Sequence, residues 1–195
     1  SDEIWSDIIL PGHKHIPTQS VSEDARMRTV ALYAPSKTFN LAGLVGSYHI
    51  IYNEPLRDRV CAVSNKTHYN EMNVLSMHAL IGAYQPQGYE WVDELNQVLA
   101  GNIEYFCDYV DEHFEGVSYS RPQGTYMVFL DCTEWCREHG RDIQWLLDEG
   151  ARVGVGYQDG RPFHGPCHIR VNLALPPSRV REACDRLDRY VFNTR

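Results

Sequence analysis

The sequence predicts an α/β protein in two parts: a piece of a doubly wound, mainly parallel sheet, followed by a smaller α/β layer. Three observations predict it. Short apolar runs such as Thr29 to Tyr33 alternate with segments of helical period. One of those segments, Tyr89 to Phe114, is long enough to connect two domains, and no internal repeat or low-complexity tract breaks the alternation. The boundary is drawn before that helix, giving parts 1–88 and 89–195.

Taken in order, Thr29-Val30-Ala31-Leu32-Tyr33 is a continuous apolar stretch that reads as a buried strand. Residues 55–64 and 70–84 read as helices, the second carrying Val74, Leu75, Met77, His78 and Ile81 broadly along one face. From 89 to 114 the apolar positions Val92, Leu95, Leu99, Ile103, Phe106 and Val110 recur at steps of three and four, the period of one amphipathic helix. Beyond it, 117–120 and 125–131 read as strands, and a helix over 142–149 is expected to close at Gly150. Residues 151–156 and 168–174 read as extended, and 177–192 as a final helix with proline at its start.

With 43% hydrophobic and 23% charged residues over 195 positions, a packed core is expected. The chain carries 26 acidic against 18 basic side chains, a formal charge of -8, and no basic block. That balance argues against a nucleic-acid or anionic-membrane partner, which would need cations to neutralise phosphates. No apolar run approaches the roughly 20 residues that span a bilayer, and the first residues lack a basic-then-apolar leader pattern, so a cytoplasmic protein is expected.

Six cysteines, at 61, 107, 132, 136, 167 and 184, are spaced too irregularly for a disulfide framework, and most read as free and packed. Cys132, Cys136 and His139 match no standard zinc spacing, and His13 and His15 make at most a partial ligand set, so no metal site is expected.

The chemistry gathers at Lys37, in the run Tyr33-Ala34-Pro35-Ser36-Lys37-Thr38-Phe39-Asn40. Taken alone, one lysine in a loop is most often a solvated charge. Delivered by an apolar strand to a sheet edge beside a small hydroxyl residue, a primary amine can instead condense with an aldehyde cofactor and carry a proton.

Four segments occur in a fixed order: Ser1-Asp2-Glu3-Ile4, then Ser36-Lys37-Thr38-Phe39-Asn40, then Pro122-Gln123-Gly124-Thr125-Tyr126 with Leu130-Asp131, and last His168-Ile169-Arg170-Val171-Asn172-Leu173-Ala174. In that order they resemble the C-terminal half of fold-type I pyridoxal-phosphate enzymes of the aminotransferase class I/II superfamily, nearest to the cystathionine β-lyase (C–S lyase) branch. The resemblance implies the large cofactor domain's C-terminal part plus the small domain, with the Gly-rich phosphate segment lying outside this chain.

It also implies roles. Asp2 resembles the buried carboxylate that keeps the cofactor's ring nitrogen protonated, with Glu3 or Asp7 as alternatives if the register differs. Lys37 resembles the lysine that holds pyridoxal 5'-phosphate and moves the substrate's Cα proton, and Ser36 the hydroxyl near the phosphate. Trp5 stands where relatives carry tyrosine or histidine beside the ring oxygen; an indole is a donor only. Arg170 resembles the fork that receives the substrate's α-carboxylate.

Two departures bear on the reaction. Gly43-Leu44-Val45-Gly46-Ser47 lacks the phosphate-binding arginine common in aminotransferases, a gap the lyase branch shares, and Trp5 departs from both tyrosine and histidine; Ala34 also replaces a frequent serine, leaving Ser36 as the hydroxyl near the phosphate. The implied activity is a C–S β-lyase acting on cystathionine or cysteine conjugates, with an aminotransferase as the alternative. A non-catalytic interaction or dimerisation fragment is the third reading. Homodimers are implied by the resemblance alone.

Overall fold

The computed structural model describes residues 1–193, so the last two residues of the expected 89–195 part lie outside the described ones. The chain divides into two compact units, Ser1–Asn96 and Gln97–Arg195.

In the first unit, strand β1 (Ala31–Tyr33) pairs antiparallel with β2 (Tyr48–Ile50), and Asp2 bridges Leu32 in parallel. That bridge is parallel, whereas the two-stranded ladder beside it is antiparallel. Helix α1 (Glu23–Arg28) starts at Ser22, whose hydroxyl accepts the Ala25 N–H. The four-residue α2 (Pro35–Thr38) follows β1 directly, with Pro35 at its first turn, so Lys37 sits in a helical turn rather than a loop.

Helices α3 (Glu54–Thr67) and α4 (Val74–Ala83) are capped by Asn53 and Asn73, which accept the Leu56 and Ser76 N–H groups. The Asn73 cap is why the helix expected from residue 70 begins only at Val74. Its apolar residues Val74, Leu75, Met77 and Ile81 are exposed within this chain.

Helix α5 (Pro86–His113) is about 42 Å long at 1.5 Å per residue. It begins three residues before the expected Tyr89, because proline occupies its first position where no N–H partner is needed. The boundary between the units falls inside it, after Asn96. Val92, Leu99, Ile103, Phe106 and Val110 are buried as the period requires, with Leu95 half-buried.

The second unit is built on an antiparallel sheet in the order β3-β4-β6-β5: β3 (Ser118–Tyr119), β4 (Met127–Asp131), β5 (Gln158–Asp159) and β6 (His168–Asn172). Alternation sends Val128, Leu130, Ile169 and Val171 into the core, and leaves Phe129 and Arg170 as cross-strand partners on the other face. Helices α6 (Thr133–His139), α7 (Ile143–Arg152) and α8 (Pro177–Leu187) supply Trp135, Leu146, Val180, Cys184 and Leu187 to that core, and a π-helical turn, Asp188–Phe192, adds Val191 and Phe192. The buried Trp135 indole N–H donates to the Phe192 carbonyl at 3.1 Å.

Several boundaries differ from the sequence expectation for physical reasons. Gly150 does not close α7, which runs on to Arg152. A Cβ at Gly150 would stand 2.5 Å from the Tyr157 ring, so the glycine makes room for an aromatic contact instead of ending a helix. Residues 151–156 are therefore helix end and turn, not strand, with the reversal at Gly154 (φ +77°). Thr125 lies in the left-handed region (φ +64°), its hydroxyl accepting the Met127 N–H, so β4 starts at Met127. The final helix changes to π geometry after Leu187.

All six cysteines are unpaired; Cys61 is exposed, Cys167 half-buried and the rest buried. Burial pushes the Cys136 thiol up and the Cys184 thiol to about 12, which favours their protonated, less nucleophilic form. Among the described residues no group of three or more His, Cys, Asp or Glu converges to hold a metal, and no helix is long and apolar enough to cross a membrane.

Candidate functional site

The first cluster is assembled where residues 1–8 run beside β1. Backbone bonds from Glu3 N–H to Leu32 O and from Leu32 N–H to Ser1 O, both 2.9 Å, hold the two stretches together. Asp2 lies on this edge, its Oδ1 accepting the Ile4 N–H at 3.1 Å. It is exposed rather than buried, although it stands at the bridge to Leu32.

The neighbouring Glu3 is 4% exposed. It accepts from Ser1 Oγ at 2.9 Å and Thr18 N–H at 3.0 Å, and its other oxygen pairs closely with His15 Nε2. Burial pushes its carboxyl up, but the donors from Thr18, Ser1 and His15 outweigh that and hold it below the usual carboxylate range.

Lys37 is half-buried, with Nζ 5.4 Å from the centroid of the Trp5 ring. The indole thus presents its face to the amine. Ser36 precedes it on the same turn and is half-buried. Thr38 follows it, and its hydroxyl donates to Asp7 Oδ2 at 2.9 Å. Tyr33, one turn earlier on β1, stacks on Tyr48 with centroids 5.5 Å apart; burial and nearby acidic groups raise its phenol. Asp2, Trp5, Ser36 and Lys37 therefore share one unit, with Trp5 and Lys37 in direct contact.

Arg170 belongs to the second unit. It is half-buried on β6, donating through Nε to Gln158 Oε1 at 2.7 Å, with a second donation from its NH2 group to the same oxygen. Its guanidinium lies over Phe163 at 4.0 Å from the ring centroid. Beside it, Asn172 accepts the Ala174 N–H at 2.8 Å, which shapes the chain leaving β6. His168 packs over Phe129 and stands 3.8 Å from Asp131. Burial raises the Asp131 carboxyl, yet the hydroxyl and N–H of Thr133, with His168, hold it low.

Sequence reasoning missed Gln158 and Phe163 as the residues that orient Arg170. A two-residue strand and a phenylalanine in a 3-10 turn (Arg161–Phe163) carry no periodic signal. Thr38 was visible in the lysine motif, but its bond to Asp7 crosses 31 residues and has no local signature.

Residues 1–187 match the aminotransferase class I and II family. The chain is 32% identical to Protein MalY of Escherichia coli over 93% of its length, and 33% identical to cystathionine beta-lyase PatB of Bacillus subtilis over 96%. These alignments cover 46% and 48% of the two proteins, so the chain spans about half the length of the curated relatives it matches. Cystalysin from Treponema denticola, whose crystal structure contains a pyridoxal 5'-phosphate cofactor, superposes with a TM-score of 0.86 at 29% identity, covering 96% of this chain and 47% of that one. With a family match running from the first residue to Leu187 and a relative such as PatB a third identical across nearly the whole chain, the chain belongs to the aminotransferase class I and II family.

Proposed function

We propose that the chain is the C-terminal half of a pyridoxal 5'-phosphate-dependent C–S β-lyase that, with water, cleaves cystathionine or cysteine conjugates to a thiol, pyruvate and ammonia. The observation that carries this reading is the Lys37 amine, half-buried over the Trp5 ring on the turn that leaves β1, with the Asp2 segment bridged to the same strand. The similarity to PatB, a protein named as a cystathionine β-lyase, supports the reaction class.

The donor set fits the cofactor. Among the described residues neither Lys37 nor Asp2 has an ion-pair partner within reach, so one amine and one carboxylate remain available on one sheet edge. Glu3 and Asp7 are committed to His15 and Thr38, which favours Asp2 over either as the carboxylate facing a ring nitrogen. Lys37 would hold the aldehyde through Nζ, Ser36 would offer its hydroxyl to the phosphate, and Trp5 would flank the ring.

When bound, the cofactor supplies an electron sink for the substrate's Cα. Asp2 would face the ring nitrogen and, through opposite charge, favour its protonated form. Arg170, its fork aligned by Gln158 and Phe163, would bind the α-carboxylate, leaving the substrate's Cα proton to be removed. The Lys37 amine takes that proton; with a sulfur leaving group on Cβ, the electron pair left behind breaks the C–S bond. Residues 1–88 are assigned to the cofactor-binding large domain and 89–195 to the small domain. The functional protein is a cytoplasmic homodimer with a small amino-acid substrate and neither nucleic acid nor membrane as partner.

The test uses the natural gene product that carries this chain. Incubation with cystathionine and no added 2-oxo acid yields pyruvate and thiol together; borohydride reduction leaves a cofactor adduct on the Lys37 peptide, and Lys37→Ala loses both. A strict requirement for a 2-oxo acid acceptor gives the aminotransferase instead. No adduct at Lys37 leaves the interaction fragment.

A further inference from the structure

We propose that Asp7 and Thr38 are positioning residues for Lys37: their hydrogen bond fixes the turn that bears the amine against the segment that bears Asp2 and Trp5. The bond runs from Thr38 Oγ1–H to Asp7 Oδ2 at 2.9 Å, and Thr38 is 1% exposed while lying next to Lys37 in sequence. Asp7 is itself anchored, since its carbonyl accepts the Asn96 Nδ2–H at 2.9 Å. Three stretches, residues 1–8, α2 and α5 near Asn96, thus meet at one aspartate.

The inference rests on the proposed role of Lys37, and the reason for it lies in what holds that side chain. The Lys37 ammonium meets the Trp5 ring through a cation–π contact, which sets distance weakly and direction hardly at all. A four-carbon stem with free rotors adds no stiffness. Placement of the amine therefore depends on the backbone of α2, a single turn whose end is held by Phe39 N–H to Pro35 O at 2.9 Å and Leu41 N–H to Ser36 O at 3.1 Å. The neighbouring Thr38 supplies the missing constraint, because a hydroxyl bonded to a carboxylate is short, directional and strengthened where water is excluded. Loss of that constraint lets the amine wander by a fraction of a turn, and an error of about 1 Å at a reacting atom costs about a hundredfold in rate.

The experiment compares the natural gene product with Thr38→Val, Thr38→Ser, Asp7→Ala and the double variant Thr38→Val/Asp7→Ala. Two readouts are taken. In cofactor-stripped protein, labelling of Lys37 by an amine-reactive ester is followed by mass spectrometry; in loaded protein, pyruvate release gives kcat and KM. Thr38→Val and Asp7→Ala are each expected to label Lys37 several-fold faster and to lower kcat about tenfold to a hundredfold, with KM nearly unmoved. Thr38→Ser keeps the hydroxyl and stays close to the parent protein in both. The double variant is no worse than either single change, because both remove one bond. Equal labelling in Thr38→Val and Thr38→Ser, or a double variant whose losses multiply, overturns the proposal. Should Thr38→Val fail to fold, Asp7→Ala carries the same comparison against Asp7→Asn, which retains an acceptor. A parent protein that takes no cofactor at Lys37 defeats the lyase reading, whereas the labelling ratios still decide whether this bond holds Lys37.

Discussion

Replacing Glu3 by glutamine removes one charge from a pocket that was built around it. The side chain is 2% accessible, and its Oε1 receives two donors, Ser1 Oγ at 2.9 Å and Thr18 N–H at 3.0 Å. A hydrogen bond to a charged group contributes about 1.5–3 kcal/mol and a neutral one about 0.5–1.5, so each bond loses about 1 kcal/mol on substitution. The His15 pair adds less than about 1 kcal/mol, since the imidazole is 31% accessible and screened by water. The expected destabilisation is therefore about 2–3 kcal/mol at neutral pH. With a urea m-value of about 1–3 kcal/mol/M, the midpoint falls by about 0.7–3 M.

The pH dependence has a definite sign. Glu3 has a folded-state pKa below its ordinary value, so its contribution is fully present above the unfolded value near 4.3 and is lost as pH falls through the lower folded value. Urea titrations of parent and Glu3→Gln at pH 6.5 and at pH 3 then give a larger gap at the first than at the second. A gap of the same size at both pH values would refute the account of Glu3 as a buried, donor-stabilised carboxylate.

Asn102→Leu in the second unit should cost about 2–4 kcal/mol in the same denaturation assay, because the buried amide donates to the Leu173 and Leu175 carbonyls at 3.0 and 2.8 Å and an apolar replacement leaves both without that donor. A change below about 0.5 kcal/mol would mean water takes over those carbonyls. Arg170→Lys should lower kcat/KM about tenfold to a hundredfold, mainly through KM, since an ammonium cannot reproduce the fork, the two donations to Gln158 or the stacking on Phe163. Unchanged kcat/KM for cystathionine cleavage would remove Arg170 from the substrate site.

The long helix shows what kind of information a sequence carries openly. Val92, Leu99, Ile103, Phe106 and Val110 are buried where their spacing requires, because a helix repeats over a few residues and its buried stripe is written in the chain itself. Lys37 and Arg170 were singled out for a related reason: each stands inside a contiguous motif, and the family follows from the order of those motifs. Asp2 was legible as a residue but not as an exposed one. Gly150 was misjudged because a glycine near a helix end usually serves the backbone, whereas here it serves the ring of Tyr157 seven residues later.

The rest was decided by residues remote in sequence that folding brings together. Nothing near Thr38 announces Asp7, nothing near Glu3 announces Thr18 and His15, and nothing near Arg170 announces that Gln158 and Phe163 will aim its guanidinium. By itself the sequence determined the α/β class, the long helix and the family, and singled out the residues proposed to carry its chemistry, since these depend on local period and contiguous motifs. Only the tertiary structure decided which polar groups are spent on holding the fold and which stay available for a ligand, because a hydrogen bond is directional and short-ranged and its partner is chosen by the packing of distant segments.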